Sequence, residues 1–372
     1  MRKLYLTLKH KRANQRRIKR SLKKRIRKQE YLRNKNSSLQ GSPHQEKYVK
    51  AKTKSSLQLG YELVVAPRNF SFRENPDLVV KFIDKIEKCY EKRKPVFVDM
   101  KGVAKISDDA IVVLIAIIVN FIGSKIKFNG NFPSDGEASY KLRTSGFFEI
   151  LRDNLHGTKH LLNQREKYQF GKSNGIYTNA QKTVNSALGA DIIKQASTTV
   201  WKTERRCQGL QRTFIELMQN TFDHAAIANE GDKHWWLSVN HMDKQNKVGF
   251  AFVDFGVGIF KSLSNKPNGH RFENILTKLK DLFGITKQHE FLEKILTGKM
   301  HLTATNEPHR GKGLPGIKDA MDRNSFSNLL VITNKAYGDV ANGDYRELNI
   351  NFEGTFIYWE LNDSNRNIDG RP

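Results

Sequence analysis

Residues 247–260, KVGFAFVDFGVGIF, form the stretch of sequence that decides the fold. The run that ends at Asp254 is rich in β-branched and aromatic residues and predicts a β-strand. Gly256 and Gly258 follow directly, which favours a tight turn where the backbone closely approaches a ligand or another chain. A strand that runs into such a turn predicts a binding site at its end.

A second pair of glycines, Gly311 and Gly313, lies further along the chain in HRGKGLPGIKDAM. These glycines precede a predicted helix, whose exposed N-terminal amides can receive a phosphate group. The apolar runs NLLVITN and GTFIYWEL then predict two more strands.

Upstream of both glycine pairs, the segment RRCQGLQRTFIELMQNTFDHAA has apolar residues that step by three and four, which predicts an amphipathic helix. Glu216 and Asn220 are four residues apart and therefore neighbours on one face. Asp223 and His224 lie one turn further. Taken alone, this polar face is typical of a solvated surface helix.

Together and in this order, these motifs resemble the GHKL superfamily, the ATP-binding module of gyrase B, the large heat-shock chaperone, histidine kinases, anti-sigma serine kinases and MutL. The resemblance covers residues 200–362. ELMQNTFDHA is similar to the N box, DFGVGI and GKGLPGI to the two glycine boxes, and GTF to the strand that closes the adenine pocket. It implies a GHKL (Bergerat) α/β sandwich with a mixed, mainly antiparallel sheet in residues 201–372. Residues 260–310 would be a long, mobile ATP lid.

The resemblance also implies ATP and Mg²⁺ as cofactors and gives roles to individual residues. Asn220 would bind Mg²⁺ through its side-chain oxygen. Glu216 would be the general base of ATP hydrolysis. Asp254 would accept a hydrogen bond from the adenine amino group, with Thr355 beside it through water.

The remaining predicted contacts with the nucleotide come from the two glycine boxes and the end of the N box. They are Gly256, Gly258 and Ile259 near the nucleotide, Gly311, Gly313 and Leu314 around the phosphates, Lys312 and Arg310 as added positive charge, and Asp223 and His224 as supporting contacts.

The preceding segment, residues 58–153, predicts a small α/β layer domain. YELVVAP, PVFVDM and KIKFNG read as strands, and the segments between and after them have helical spacing. This order resembles the STAS domain of anti-sigma-factor antagonists, which implies a protein partner. In that domain a phosphorylatable serine begins the helix after the second strand, where this chain has Asp108 and Asp109, with Ser107 one step earlier. The alternative is that the aspartates merely cap the helix and favour its dipole.

The N-terminal segment, residues 1–57, is strongly basic. The chain has a net charge of +26, and this segment holds 20 of the 64 Lys and Arg residues against two Glu. Such an arm can bind nucleic acid in a salt-dependent way, lie on an anionic membrane, or remain a solvated tail. Nucleic acid is favoured, because the apolar stripe Ile18, Leu22 and Ile26 is too thin to bury much in lipid. Residues 154–200 read as a polar linker that becomes helical.

Other features exclude some classes of protein. The two cysteines are far apart, so neither a disulfide framework nor a CxxC metal pair is indicated. The longest apolar run is too short for a membrane helix, and a cytoplasmic protein without a transmembrane segment is predicted. His156 and His160 lack the surroundings of a phosphoacceptor box. His270, His289, His301 and His309 are predicted to be exposed loop residues. Trp235 and Trp236 are predicted to begin a strand and pack.

Three functions remain open at this point. The favoured one is an ATPase whose nucleotide state switches the lid, a homodimer or a partner, with the basic arm on nucleic acid. The first alternative is a protein kinase of the anti-sigma or histidine-kinase type. The second is a module that senses ATP without turnover.

Overall fold

A computed structural model describes residues 60–148, 150, 167–170, 174–179, 184–225, 235–256, 258–260, 287–298 and 313–365. For residues 167–170, 174, 178–179 and 222–225 it describes the backbone alone. The basic arm, residues 1–57, and most of the predicted lid lie outside the described residues.

The first part of the described chain is an α/β layer. In chain order its elements are β1 (Glu62–Val65), β2 (Asn69–Phe70), α1 (Pro76–Glu91), β3 (Val96–Asp99), β4 (Lys105–Ile106), α2 (Asp108–Gly123), β5 (Phe128–Gly130) and α3 (Gly136–Thr144). Strands β1, β3 and β5 form a parallel sheet in that order, and β2 pairs with β4. The three predicted strands and the helices between them are therefore confirmed.

The second part is a helix-covered sheet. Its elements are β6 (Lys167–Phe170), β7 (Asn174–Asn179), α4 (Ser186–Trp201), α5 (Gln208–Ala225), β8 (Trp235–Met242), a short 3-10 helix (Asp243–Gln245), β9 (Lys247–Asp254), α6 (Gln288–Leu296), α7 (Gly313–Asp322), β10 (Ser327–Asp339) and β11 (Asp344–Asn362). The chain is thus of the mixed α/β class, as the sequence predicts.

The large sheet has the strand order β10-β11-β9-β8-β7-β6, and every pairing among its described strands is antiparallel. The resemblance implies a mixed, mainly antiparallel sheet, and among the described strands only antiparallel pairings are present. Four of the five pairs join strands that are consecutive in the chain. The fifth pair, β9 with β11, also runs in opposite directions, since β11 inserts between β9 and β10.

Both faces of the large sheet are buried. On β11, Ile357 and Trp359 pack with helices α4 to α7, and the Phe214 ring of α5 lies 5.4 Å from the Trp359 ring. The alternate residues Phe356 and Tyr358 face the first layer, where Phe72 stacks on Phe356 at 4.5 Å. Because side chains alternate along a strand, β11 belongs to two cores at once.

A polar cluster also joins the first layer to the large sheet. Arg73 contacts the Asp109 carboxylate at 3.3 Å, the Glu360 carboxylate at 3.2 Å and the Tyr358 hydroxyl at 2.9 Å. Asp109 is fully buried, and this burial raises its pKa although Arg73 opposes the rise. The aspartate at the start of α2 therefore does more than cap a helix, because it fixes α2 against β11.

Asp108 makes a second contact of this kind. Its carboxylate accepts a hydrogen bond from the Asn240 amide of β8 at 2.7 Å and pairs with Lys141 at 2.9 Å. Ser107 stands at the N-cap position of α2, but its side chain makes no capping bond. It is 5% exposed, and its hydroxyl donates to the Phe70 carbonyl, so a modifying enzyme has little access to it.

Residues 154–200 contain more structure than the predicted helical linker. The helix is present as α4, but β6 and β7 precede it and add two strands to the edge of the large sheet. Residues 60–372 also cluster as one compact unit. The division into domains at residues 58–153 and 201–372, which the sequence predicts, stays a prediction.

The apolar run of α2 lies in a protein core. Residues 109–119 are all buried, and Phe121 is 1% exposed. Within the part of the chain that the structure describes, no helix is long and apolar enough to cross a membrane.

Candidate functional site

Two predicted binding residues, on strands β9 and β11, meet at one end of the large sheet. Asp254, the last residue of β9, lies opposite Thr355 of β11 in the strand register. Thr355 in turn lies opposite Thr333 of β10. Trp235, the first residue of β8, pairs with Asp254 from the other side. Asp254 and Thr355, separated by about a hundred residues in the sequence, are thus brought side by side.

The Asp254 carboxylate is held in a desolvated environment. Burial raises the pKa of Asp254 to about 6, while hydrogen bonds from the Gly256 amide and from Thr355 oppose the rise. The Gly256 amide donates to Asp254 Oδ1 at 3.0 Å. These neighbours fix the orientation of the carboxylate. A fixed orientation is required of a group that selects a ligand by accepting a hydrogen bond from it.

Gly354 makes this geometry possible. Its φ is +146°, and a Cβ at this position would lie 2.3 Å from the Asp254 carbonyl oxygen. Any larger residue would push β11 away from the end of β9. The glycine of the GTF motif is therefore required for the pairing that places Thr355 beside Asp254.

Side chains of β10 bind the segment predicted as the first glycine box to the sheet. The Ile259 amide donates to Thr333 Oγ1 at 2.9 Å, and the Phe260 amide donates to Asn334 Oδ1 at 3.1 Å. The Thr333 hydroxyl donates in turn to the Gly354 carbonyl at 3.0 Å. Residues 258–260 are helical, so these bonds satisfy amides that a first helical turn leaves without partners in the helix.

Sequence reasoning missed Thr333 and Asn334, because NLLVITN was taken only as a strand. A signal was present, since two polar residues end an otherwise apolar run. Thr333 is 0% exposed, and a buried polar side chain is retained where it makes hydrogen bonds. Asn334 adopts a left-handed φ of 50°, a conformation that asparagine tolerates better than most residues.

The Thr333 bridge can be tested through stability. Thr333→Val keeps the shape but removes the hydroxyl that links the Ile259 amide to the Gly354 carbonyl. We expect the free energy of unfolding to fall by about 2 kcal/mol, as measured in urea. Thr333→Ser, which keeps the hydroxyl and loses one methyl, should cost about 1 kcal/mol. Equal losses in the two variants would contradict a role for the hydrogen bonds.

The other predicted motifs meet where α5 and α7 approach each other. A Cβ on Gly313, the first residue of α7, would lie 3.2 Å from both Asn220 Nδ2 and Glu216 Oε2. The segments predicted as the N box and the second glycine box are thus in direct proximity, and a side chain at Gly313 would crowd the Asn220 amide and the Glu216 carboxylate. Leu314 packs partly against the core, which anchors this end of α7.

Arg212 is a further residue that sequence reasoning missed. Its Nε atom lies 3.8 Å from Glu216 Oε1, one turn away on α5. Its guanidinium also lies 3.6 Å from the position that a Cβ on Gly316 would take. Arg212 is therefore an ion-pair partner of Glu216 and a neighbour of α7. The i, i+4 spacing of Arg212 and Glu216 was the available signal.

Several predicted site residues are not placed. Arg310, Gly311 and Lys312 lie outside the described residues. Asp223 and His224 belong to α5, but their side chains are not described. Ile259 is placed, with its side chain packed partly against the core. His156 and His160 also lie outside the described residues.

The predicted lid includes a packed element. Helix α6 buries Phe291, Leu292, Ile295 and Leu296 in the core beneath the large sheet. His289, predicted to be an exposed loop residue, instead lies in this helix, and its Nδ1 atom is buried. The prediction was wrong here because the amphipathic pattern of α6 was read as part of one long loop. His270, His301 and His309 lie outside the described residues.

Among the described residues, no three His, Cys, Asp or Glu side chains form a metal-binding group. No protein-family model matches the chain, and comparison with curated proteins finds no match either.

Proposed function

We propose that residues 201–365 bind ATP with Mg²⁺ and hydrolyse it, with the GHKL-type arrangement that the motifs predict. The observation that carries this proposal is the approach of Gly313 to Glu216 and Asn220. It brings a candidate base, a candidate metal ligand and a helix N-terminus together. These groups are what hydrolysis of a phosphate anhydride requires.

The end of the large sheet fits the adenine base. A desolvated carboxylate, Asp254, selects a ligand that offers a hydrogen-bond donor, and the adenine amino group is such a donor. The neighbouring Thr355 hydroxyl adds a polar group at the same sheet end. Both residues lie on the face of the sheet that packs against α5, the helix that carries Glu216 and Asn220.

The residues near Gly313 also fit a magnesium ion. Asn220 offers a hard amide oxygen, and Mg²⁺ takes few protein ligands when phosphate oxygens and water complete its shell. When bound, Mg²⁺ would neutralise charge on the phosphates. The backbone amides at the start of α7 would add to that effect.

Glu216 is positioned to act on water. Its carboxylate is partly exposed, with 26% of the side chain accessible, and Arg212 lies on one side of it. A base must reach its water, so partial exposure suits this role better than burial. Arg212 would keep the carboxylate in one orientation as a positioning residue.

The proposal extends to the rest of the chain. The order and parallel pairing of β1, β3 and β5 support the STAS-like interpretation of the first layer. We propose that this layer responds to the nucleotide through β11, since Thr355 and the residues that contact Arg73 lie on the same strand. We also propose that the chain forms a homodimer and that residues 1–57 contact nucleic acid.

The test is incubation of the purified chain with γ-labelled ATP and Mg²⁺, following free phosphate and protein-bound label together, with and without DNA or RNA. We expect free phosphate, and no release when Mg²⁺ is removed with a chelator. Label retained on the protein would favour the kinase. ATP binding without release or transfer would favour the sensing module.

A further inference from the structure

A cluster of cations lies at one edge of the first layer, far in sequence from the candidate ATP site. It consists of Lys92, Arg93 and Lys94 after α1, and of Lys125 and Lys127 between α2 and β5. We call these five residues the basic patch. All five side chains are exposed, and neither the motifs nor the candidate site uses them.

The two halves of the patch are held together by direct contacts. The Arg93 guanidinium donates to the Ser124 carbonyl at 3.1 Å. The Tyr90 hydroxyl shares a hydrogen bond of 2.6 Å with Ser124 Oγ. The Val96 amide of β3 donates to the Lys127 carbonyl at 3.1 Å. These contacts fix the backbone of the two turns that carry the cations, which lowers the conformational entropy lost when the cations bind a partner.

The backbone of the patch is unusual. Arg93 has φ 50° and Lys125 has φ 57°, and each follows the end of a helix at the position where glycine is common. A left-handed conformation is unfavourable for residues with long side chains. Two cations occupy such positions side by side. The negative end of each helix dipole accounts for some of this preference, but glycine would relieve the strain.

Most of the charge of the patch is not neutralised. Lys94 lies 3.8 Å from Glu62, and both side chains are more than half exposed. Within the described residues, Lys92, Lys125 and Lys127 have no carboxylate within ion-pair distance, and Arg93 bonds only the neutral Ser124 carbonyl. Exposed like charges repel one another, and this repulsion lowers the stability of the isolated protein. An anionic partner would remove the repulsion when it binds.

The patch lies where the described chain begins. The Glu62 amide at the start of β1 donates to the Pro95 carbonyl, next to Lys94, at 2.8 Å. In the sequence, this start follows directly on the basic segment 1–57. The edge of the layer and the segment before it thus have the same sign of charge.

We propose that the basic patch binds the phosphodiester backbone of a nucleic acid. Its features are exposed cations on two adjacent turns, a rigid base and a chain with a net charge of +26, which together are the electrostatic footprint of such proteins. The five residues of the patch include no apolar side chain that could insert into a membrane, and the neighbouring Tyr90 has its hydroxyl bonded to Ser124. This inference does not depend on ATP hydrolysis.

The test measures binding of the full chain to a short fluorescent duplex DNA and to the matching RNA across a salt series. The variant is Lys92→Gln, Lys125→Asn and Lys127→Gln combined, with asparagine at 125 because it tolerates the left-handed backbone. We expect the slope of log affinity against log salt to become shallower by about 2 to 3, and affinity to fall at least about tenfold. The melting temperature should stay the same or rise.

The matched control changes three exposed cations on other surfaces, Lys194, Lys244 and Arg323, to glutamine. It removes the same charge, so a decrease equal to that of the patch variant would overturn the proposal, as would an unchanged slope in the patch variant. Vesicles containing phosphatidylserine are the second probe, because Leu63 and Val65 on the neighbouring β1 are 41% and 59% exposed. Patch-dependent binding to vesicles with none to nucleic acid would also overturn it.

Discussion

Glu216→Gln is expected to slow phosphate release from ATP by about 10² to 10⁴-fold, the usual contribution of a general base. ATP affinity should change little, since glutamine has nearly the same shape. The close approach of α7 is also retained, because either polar atom of the amide can take the place of the carboxylate oxygen that faces Gly313. The measurement is single-turnover phosphate release together with ATP binding by a fluorescent analogue.

A matched variant separates loss of the base from loss of its orientation. Arg212→Gln removes the ion pair of 3.8 Å but leaves the carboxylate in place. We expect a smaller decrease in rate, about tenfold, because surface ion pairs are weak and the carboxylate still reaches water. The general-base assignment fails if Glu216→Gln hydrolyses ATP at the rate of the unmodified chain. Loss of ATP binding in the same variant would instead assign Glu216 a structural role.

Much of the candidate site follows from local patterns in the sequence. The β-branched and aromatic residues of KVGFAFVD predict β9 and its end at Asp254, as observed. The spacing of Leu210, Phe214, Leu217 and Met218 predicts α5, and all four are buried. These features depend on local composition and on a period of three to four residues, which can be read without knowledge of the tertiary structure.

Other features depend on strand register and were not predicted. Thr333 faces Thr355 only because β11 pairs with β10 in one register, interrupted by irregularities before and after Asn334. Strands β6 and β7 are short and polar, so their pattern is weak without the edge of β8 that they join. Contacts of this kind are between residues far apart in the chain, and single-sequence patterns do not determine them.

The burial of both sheet faces did have a signal in the sequence. The run TFIYWEL of β11 is apolar at nearly every position rather than at alternate ones, which is typical of strands covered on both sides. From the sequence, this run was interpreted only as a strand. The structure explains its composition, because the first layer packs on Phe356 and Tyr358 while the helices pack on Ile357 and Trp359. Thus the proposed nucleotide contact at Thr355 and the Arg73 cluster share one strand.

Asp254→Asn is expected to weaken binding of adenosine and ATP by about 100-fold, since a hydrogen bond to a charged acceptor contributes about 1.5 to 3 kcal/mol. The free energy of unfolding should not decrease. Burial raises the pKa of Asp254 to about 6 from an ordinary value of 3.8, so the ionised carboxylate is less favourable in the folded chain than in the unfolded one. Asparagine removes that unfavourable charge. Isothermal titration and urea unfolding at pH 8 measure the two effects.

The pH dependence gives the same assignment an independent check. Between pH 3.8 and 6 the folded chain holds a proton on Asp254 that the unfolded chain has lost. The stability of the unmodified chain relative to Asp254→Asn should therefore decrease as the pH rises through this window, and be lowest above about pH 6.

Binding should change in the opposite direction. The ionised carboxylate is the stronger acceptor, so adenosine affinity should rise as the pH passes through 6 in the unmodified chain and remain flat in Asp254→Asn. Adenosine is the proper probe because it has no phosphate that titrates in this range. Guanosine, which offers a carbonyl oxygen where adenosine has its amino group, should bind poorly to the unmodified chain. If the unmodified chain and Asp254→Asn bind adenosine with equal affinity at pH 8, Asp254 has only a structural role at the sheet end. The adenine base would then be recognised by other residues.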